Sequence, residues 1–289
     1  MGGSAGAPGN IESGRPSRTA LGAAVHRAVH QVLEGGRIFA DPLALRILGW
    51  DAKAARREAE SGGDRRLLRL FIAVRSRFAE DAFAAAHAGG VRQLVVLGAG
   101  LDTYAYRTTL REGLRVFELD HPATQEWKRG LLAAAGITTP PSLTFVPIDF
   151  ERVTPERGLA GAGFDAARPA FFIWLGVVPY LSEAGVLATL AWIGGLPGGT
   201  QVVFDYANPT DEGAGKSELR AAHRALAARV AAVGEPFRTY FETDLLHARL
   251  RSLGYRHLED LGPAAIGERY FGIRTGAREA GGHVLRATT

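Results

Sequence analysis

The chain reads as an α/β protein, a doubly wound and mostly parallel sheet behind a helical N-terminal cap. Three observations lead there. From residue 91 onward, short apolar runs alternate with turn residues and helix-period segments, the pattern of repeated strand and helix units. Most of these runs carry apolar residues on both faces, as a sheet covered by helices requires. The first run, residues 93–97, stops abruptly at Gly98-Ala99-Gly100, the signature of a buried strand feeding a glycine-rich loop.

Residues 1–14 are expected to form a mobile tail; their opening, Met1-Gly2-Gly3-Ser4-Ala5-Gly6, lacks the Ser or Thr of a myristoylation signal. Residues 15–89 are expected to form the helical cap. There Leu21, Ala24, Val25, Ala28, Val29 and Val32 recur at helical spacing, Asp41-Pro42 and Gly49 punctuate the pattern, and a longer amphipathic segment runs from about 65 to 87. Residues 90–289 form the α/β domain, with strands expected at 93–97, 114–119, 143–147, 170–175 and 200–206. A flexible stretch between Asn208 and Gly215 and an Ala-rich helix near 217–233 suggest a cap insertion at about 208–240. Residues 255–261, 270–273 and 283–286 are expected to be late strands, some antiparallel. One sizeable core suits 289 residues.

Bulk chemistry narrows the function. A net charge of +4 from 34 basic and 30 acidic side chains is spread along the chain, so nucleic acid is not an expected partner. Arg56-Arg57 and Arg65-Arg66 stand among Glu58, Glu60 and Asp64 and read as a solvated helix face. Without cysteine, thiolate catalysis and cysteine zinc sites are excluded. His26 and His30 share i, i+4 spacing but lack a third ligand, so no metal is expected. No apolar stretch reaches membrane-span length and no signal peptide is apparent, which makes a cytoplasmic protein the expectation.

The loop at Gly98, Ala99 and Gly100 lets a nucleoside-bearing cofactor approach the backbone without meeting a β-carbon. About twenty residues on, the second strand delivers Glu118 and Asp120, the offset at which a carboxylate meets ribose hydroxyls. A dinucleotide fingerprint needs a third glycine, and after Leu101-Asp102 comes Thr103. A phosphate-free adenosine cofactor, S-adenosyl-L-methionine, therefore fits better than NAD or FAD, with a nicotinamide-dependent oxidoreductase as the rival enzyme reading. Other strand ends add groups to the same crevice: Asp102, with a turn role as its alternative; Asp149 beside Phe150, suited to adenine or to capping the next helix; and Trp174-Leu175-Gly176.

The ordered motifs Leu97-Gly-Ala-Gly-Leu-Asp-Thr through Arg107, Phe117-Glu-Leu-Asp-His-Pro122 with Lys128, Val146-Pro-Ile-Asp-Phe150 and Trp174-Leu-Gly-Val-Val-Pro-Tyr-Leu181 resemble those of the leucine carboxyl methyltransferase-like family of class I S-adenosylmethionine-dependent methyltransferases. The chain is similar above all to a bacterial branch of O-methyltransferases. That branch opens with an element like Ser17–Ala20 and closes with one like Asp260-Leu-Gly-Pro followed by Arg269-Tyr-Phe, so the resemblance covers roughly residues 17–275.

The resemblance implies that Arg75, with Arg77 as its rival, and Arg18 hold the cofactor's carboxylate, that Asp120 takes the ribose, and that Asp149 and Phe150 flank the adenine. Where many relatives carry Glu, this chain has Leu175. On the acceptor side Tyr180 and His26 are the candidate catalytic groups, and Trp174, Tyr206 and His223 candidate substrate contacts; each aromatic has a packing role as its alternative, and His121 reads as a turn former. The implied activity is O-methylation of a small or peptide-like metabolite, favouring a carboxylate, which needs no base, by a monomer or homodimer. A cofactor-binding protein with lost or altered methyl transfer is the alternative from outside enzymology.

Overall fold

The computed structural model describes residues 16–63, 65–150, 152–209, 218–232, 234–274 and 281–289. The expected tail at 1–14 and residues 210–217 of the expected cap insertion lie outside them. Ahead of the sheet come α1 (Arg18–Leu33), α2 (Ala44–Ile47), α3 (Ala52–Ser61) and α4 (Arg66–Ala88). Then β1 (Gln93–Leu97), α5 (Tyr104–Arg107), β2 (Arg115–Asp120), α6 (Pro122–Ala134), β3 (Leu143–Pro147), α7 (Pro155–Ala160) and β4 (Phe171–Trp174) follow in turn. After a short 3₁₀ turn at Val178–Tyr180, the chain continues through α8 (Glu183–Gly194), β5 (Gln201–Ala207), α9 (Glu218–Ala232), α10 (Thr243–Ser252), β6 (His257–Leu261), α11 (Pro263–Phe271) and β7 (Gly282–Thr288).

The seven strands lie in the order β3-β2-β1-β4-β5-β7-β6. The first five are parallel, and β7 runs antiparallel to both neighbours. This is a class I, Rossmann-like sheet. Its order reverses between β1 and β4, so a crevice opens at the carboxyl ends of those strands, where ligands bind in such sheets. Every residue of β1 and β4 is buried, and alternate side chains feed two separate cores. Leu94, Val96, Phe171 and Ile173 meet Val74, Phe78 and Phe83 of α4 on one face. Val95, Leu97, Phe172 and Trp174 meet Leu190 and Ile193 of α8 on the other.

One expected strand is a helix. Residues 270–273 were read as extended because Tyr-Phe-Gly-Ile is a short apolar run, but Tyr270 and Phe271 close α11, which begins at Pro263 and stops where Gly272 turns left-handed at φ 66°. The preceding Ile266 supplies that helix's buried contact, a periodicity too short to read against the run itself. The other two late strands form as β6 and β7.

A buried carboxylate joins the helical cap to the sheet. Asp41, 1% exposed, accepts from the Thr103 hydroxyl at 2.8 Å and from Leu43 N at 3.0 Å. It also pairs with Arg27 of α1 at 3.4 Å and Arg107 of α5 at 3.5 Å. Arg27 donates onward to the carbonyl of Leu101 at 2.6 Å, and Arg107 to Glu80 of α4 at 2.9 Å. Three segments distant in sequence thus share one charge. Removing one member of a buried ion network leaves the rest uncompensated, so Asp41→Ala should lower the unfolding free energy by about 3 kcal/mol or more. Urea titration checks this; a loss under about 1 kcal/mol would mean that the node is not what holds the cap.

Candidate active site

A cavity of about 2180 Å³ opens over the carboxyl ends of β1, β4 and β5 and is roofed by α1, the first half of α4, α9 and residues 234–238. Single-ligand sites usually enclose roughly 300–1,000 Å³, so two sizeable molecules fit. Among the residues expected to form a site, the lining brings together Arg18, His26, Arg75, Gly98, Ala99, Gly100, Asp102, Asp120, Asp149, Phe150, Leu175, Tyr180, Tyr206 and His223.

The floor is built on glycine. Gly98 and Gly100 take φ of 66° and 46°, and a β-carbon at Gly98 would collide with the Val177 side chain. One at Gly100 would press to 3.0 Å on Ala20 Cβ, because the start of α1 lies directly against this loop. Asp120 closes the loop from the neighbouring strand: its two carboxylate oxygens accept from Gly100 N at 2.5 Å and His121 N at 2.7 Å. Burial raises its pKa, and those two N–H groups oppose the rise. Behind it, Glu118 and Lys128 form a fully buried pair at 2.6 Å, in which burial pushes the Glu118 carboxyl up to about 7 against the pull of the ammonium.

The two arginines of α4 take different places. Arg77 is half exposed and pairs with Asp81 one turn on, whereas Arg75 reaches the cavity and donates to Asp205 at 2.7 Å. Asp205 in turn accepts from Gly176 N at 2.5 Å. Gly176, at φ 70°, has no side chain because Arg75 Nη2 lies 2.6 Å from where a β-carbon would stand. Asp205 was missed from the sequence; its signal was a lone acid inside the apolar run Val-Val-Phe-Asp-Tyr of β5. Glu235 was missed too. It caps α1, accepting from Arg18 N at 2.9 Å and Thr19 N at 3.0 Å across more than two hundred residues, a partnership with no local sequence signal.

Asp102 takes the turn role, accepting from Tyr104 N at 2.8 Å while still lining the cavity. Asp149 caps no helix, since α7 is capped by Thr154, and it stands half-buried beside Phe150 with Arg152 at 3.5 Å. Tyr180 projects from the 3₁₀ turn with its ring 5.2 Å from that of Phe237, and burial raises its pKa. Tyr206 is 2% exposed, and its hydroxyl is committed to Asp260 at 2.6 Å, with His283 stacked on its ring. His223 stacks on Phe237, with its Nε2 buried and without a partner among the described residues. Trp174 does not reach the cavity. As the last residue of β4 it points to the opposite face, where it is fully buried near Phe204, so the expected substrate contact is a core side chain.

His26 and His30 part company. His30 is fully buried and bonded to Glu34 at 3.1 Å, while His26 faces the cavity. Burial first, and then Arg65, Arg69, Arg229 and Arg75, push the His26 imidazole down to about 4. The expected solvated face at Arg65 also needs correction: α4 turns Arg65 into the cavity lining, because the apolar stripe of this helix faces the sheet one turn later.

The match to the family model named leucine carboxyl methyltransferase runs from residue 20 to 194, from α1 through the glycine loop to the end of α8. The chain belongs to the leucine carboxyl methyltransferase family. Within it, the chain is 38% identical over 189 residues to the "Putative S-adenosyl-L-methionine-dependent methyltransferase YktD" of Bacillus subtilis (strain 168), covering 64% of this chain and 60% of that one. It is also 38% identical over 182 residues to a Saccharopolyspora erythraea protein named in the same way, covering 60% and 61%. The chain thus spans about 60% of the length of these relatives. A Thermobifida fusca YX crystal structure titled as a "putative methyltransferase" shares the fold, with a TM-score of 0.57, 18% identity and 97% of both chains covered. The matched segment of this chain carries both the glycine floor and most of the α1 roof.

A neutral His26 has a measurable signature. Because its folded pKa lies below the unfolded value of 6.5, the unfolded chain takes the proton first, and the stability present above pH 6.5 is lost as pH falls towards 4. The loss should approach about 3 kcal/mol, and His26→Asn should flatten that part of the stability profile. Urea midpoints for the two proteins that run parallel from pH 7 to 4 would refute the assignment.

Proposed function

We propose that this chain is an S-adenosyl-L-methionine-dependent O-methyltransferase acting on a carboxylate of a small or peptide-like metabolite. The observation that carries the reading is the bare backbone at Gly98 and Gly100, closed by Asp120, on the floor of a cavity with room for two ligands. The loop fits a nucleoside better than a dinucleotide. After it comes α5, only 4 residues long, and Thr103, whose hydroxyl is tied to Asp41, so no long helix presents an N-terminus to a pyrophosphate.

Asp120 retains acceptor capacity for ribose hydroxyls beyond its two backbone bonds. Asp149 and Phe150 would take the adenine, and Arg75 and Arg18 the carboxylate. Where relatives place Glu, Leu175 is apolar; Asp205, bonded to the next residue's N–H, supplies a carboxylate at the same strand ends and would face the amino group. When bound, S-adenosylmethionine supplies a methyl group on a sulfonium. The chain's contribution is then to exclude water and hold the acceptor oxygen in line. A carboxylate is ionised already, and His26, with its pKa near 4, would be a weak base towards a phenol or alcohol, which supports the carboxylate.

Asp120→Ala should weaken binding of S-adenosylhomocysteine at least tenfold by calorimetry, the loss expected for charge-assisted bonds to a diol. Unchanged affinity would remove the ribose assignment. Release of S-adenosylhomocysteine with a panel of carboxylic acids, against matched alcohols and phenols, tests the acceptor class.

A further inference from the structure

Of the cavity cations left unused by that reading, two stand out. Arg65, at the N-cap of α4, and Arg229, in α9, both line it. Among the described residues neither guanidinium has an ion-pair partner: Arg69 is taken by Glu34 and Arg75 by Asp205, while Glu58, on the same lining, pairs with neither. The Nε of Arg65 is buried and without a hydrogen-bond partner among the described residues. Burial first, and then the charge of Arg65, lower the pKa of Arg229, so the two guanidinium groups lie near enough to repel. His26, beside both, is uncharged near neutral pH and adds no compensation.

Their place along the cavity matters. Arg65 and Arg75 are ten residues apart on one helix, about 15 Å along its axis. The Arg65 end is therefore remote from the strand ends where Arg75 meets Gly176, and Arg229 is exposed at the rim. Between the two ends the lining is apolar, with Leu68 and Phe71 from α4, Leu226 from α9, Phe237, and Ile266 from α11.

We propose that the acceptor is an elongated, largely apolar molecule bearing an anionic group at the end remote from the methylated oxygen, with that anion held by Arg65 and Arg229. The inference rests on the methyltransferase reading for the identity of the other end. Two guanidinium forks suit a carboxylate or a phosphate monoester equally, and they would remain partly hydrated at the rim. The α4, α9 and α11 side chains would cover the apolar body.

The test is calorimetric titration of the full chain, with and without S-adenosylhomocysteine, using decanoate, decyl phosphate and decanol at pH 7.5. At least one anion should bind about tenfold or more tightly than decanol. The double variant Arg65→Gln, Arg229→Gln should lose that preference with its S-adenosylhomocysteine affinity unchanged, which also shows that it folds. Arg65→Lys with Arg229→Lys should keep most of it. Equal binding of all three probes, binding of none, or a preference that survives the glutamine substitutions overturns the proposal. Failure of S-adenosylhomocysteine to bind while the anion preference stands would instead overturn the methyltransferase reading and leave the anion site.

Discussion

The carboxylate of Asp41 is the constraint on which the rest of the molecule depends. It sits in a tight turn between α1 and α2, with no exposure to speak of, and meets one charge from α1 and one from α5. A buried ion network of this kind contributes little net stability over an apolar core of the same shape, but it fixes which segment lies against which. Here it fixes the helical cap over the loop that follows β1. Together with the packing of α1 on α4 and the Glu235 cap, that registration sets the height of α1 above Gly100 and so the position of the cavity roof above its floor.

The roof is also electrostatically distinct from the floor. Strand ends contribute Asp102, Asp120, Asp149 and Asp205, while α4 and α9 contribute Arg65, Arg75 and Arg229. A low-dielectric cavity strengthens such a separation of charge. Arg75 and Asp205 form a pair that bridges it, standing where Gly176 leaves room for the guanidinium. An amphoteric ligand bearing a cationic centre and an anionic end would find both complements on opposite walls. This arrangement accounts for a chain of modest net charge carrying a strongly polarised interior.

Most of this architecture was legible in the sequence, and the parts that were not share a cause. The parallel strands were readable because burial places apolar residues on both of their faces, and the glycine loop because positive φ restricts the residue type. The place of Asp120 beside the glycine loop was readable from its offset. Trp174 was misplaced because an aromatic at a strand end points to one face or the other according to the pleat, and a one-residue difference decides between cavity and core. Arg65 looked like one more charge in a charged stretch, since nothing in the local pattern tells which way the first turn of a helix faces. Asp205 and Glu235 acquire their roles from partners 130 and 217 residues away, and α11 hid behind a four-residue apolar run.

Glu235 has a mechanical consequence. By accepting the first N–H groups of α1, it welds the near edge of that helix to the stretch following α9, so the two halves of the lid cannot swing apart without stripping a helix end of its cap.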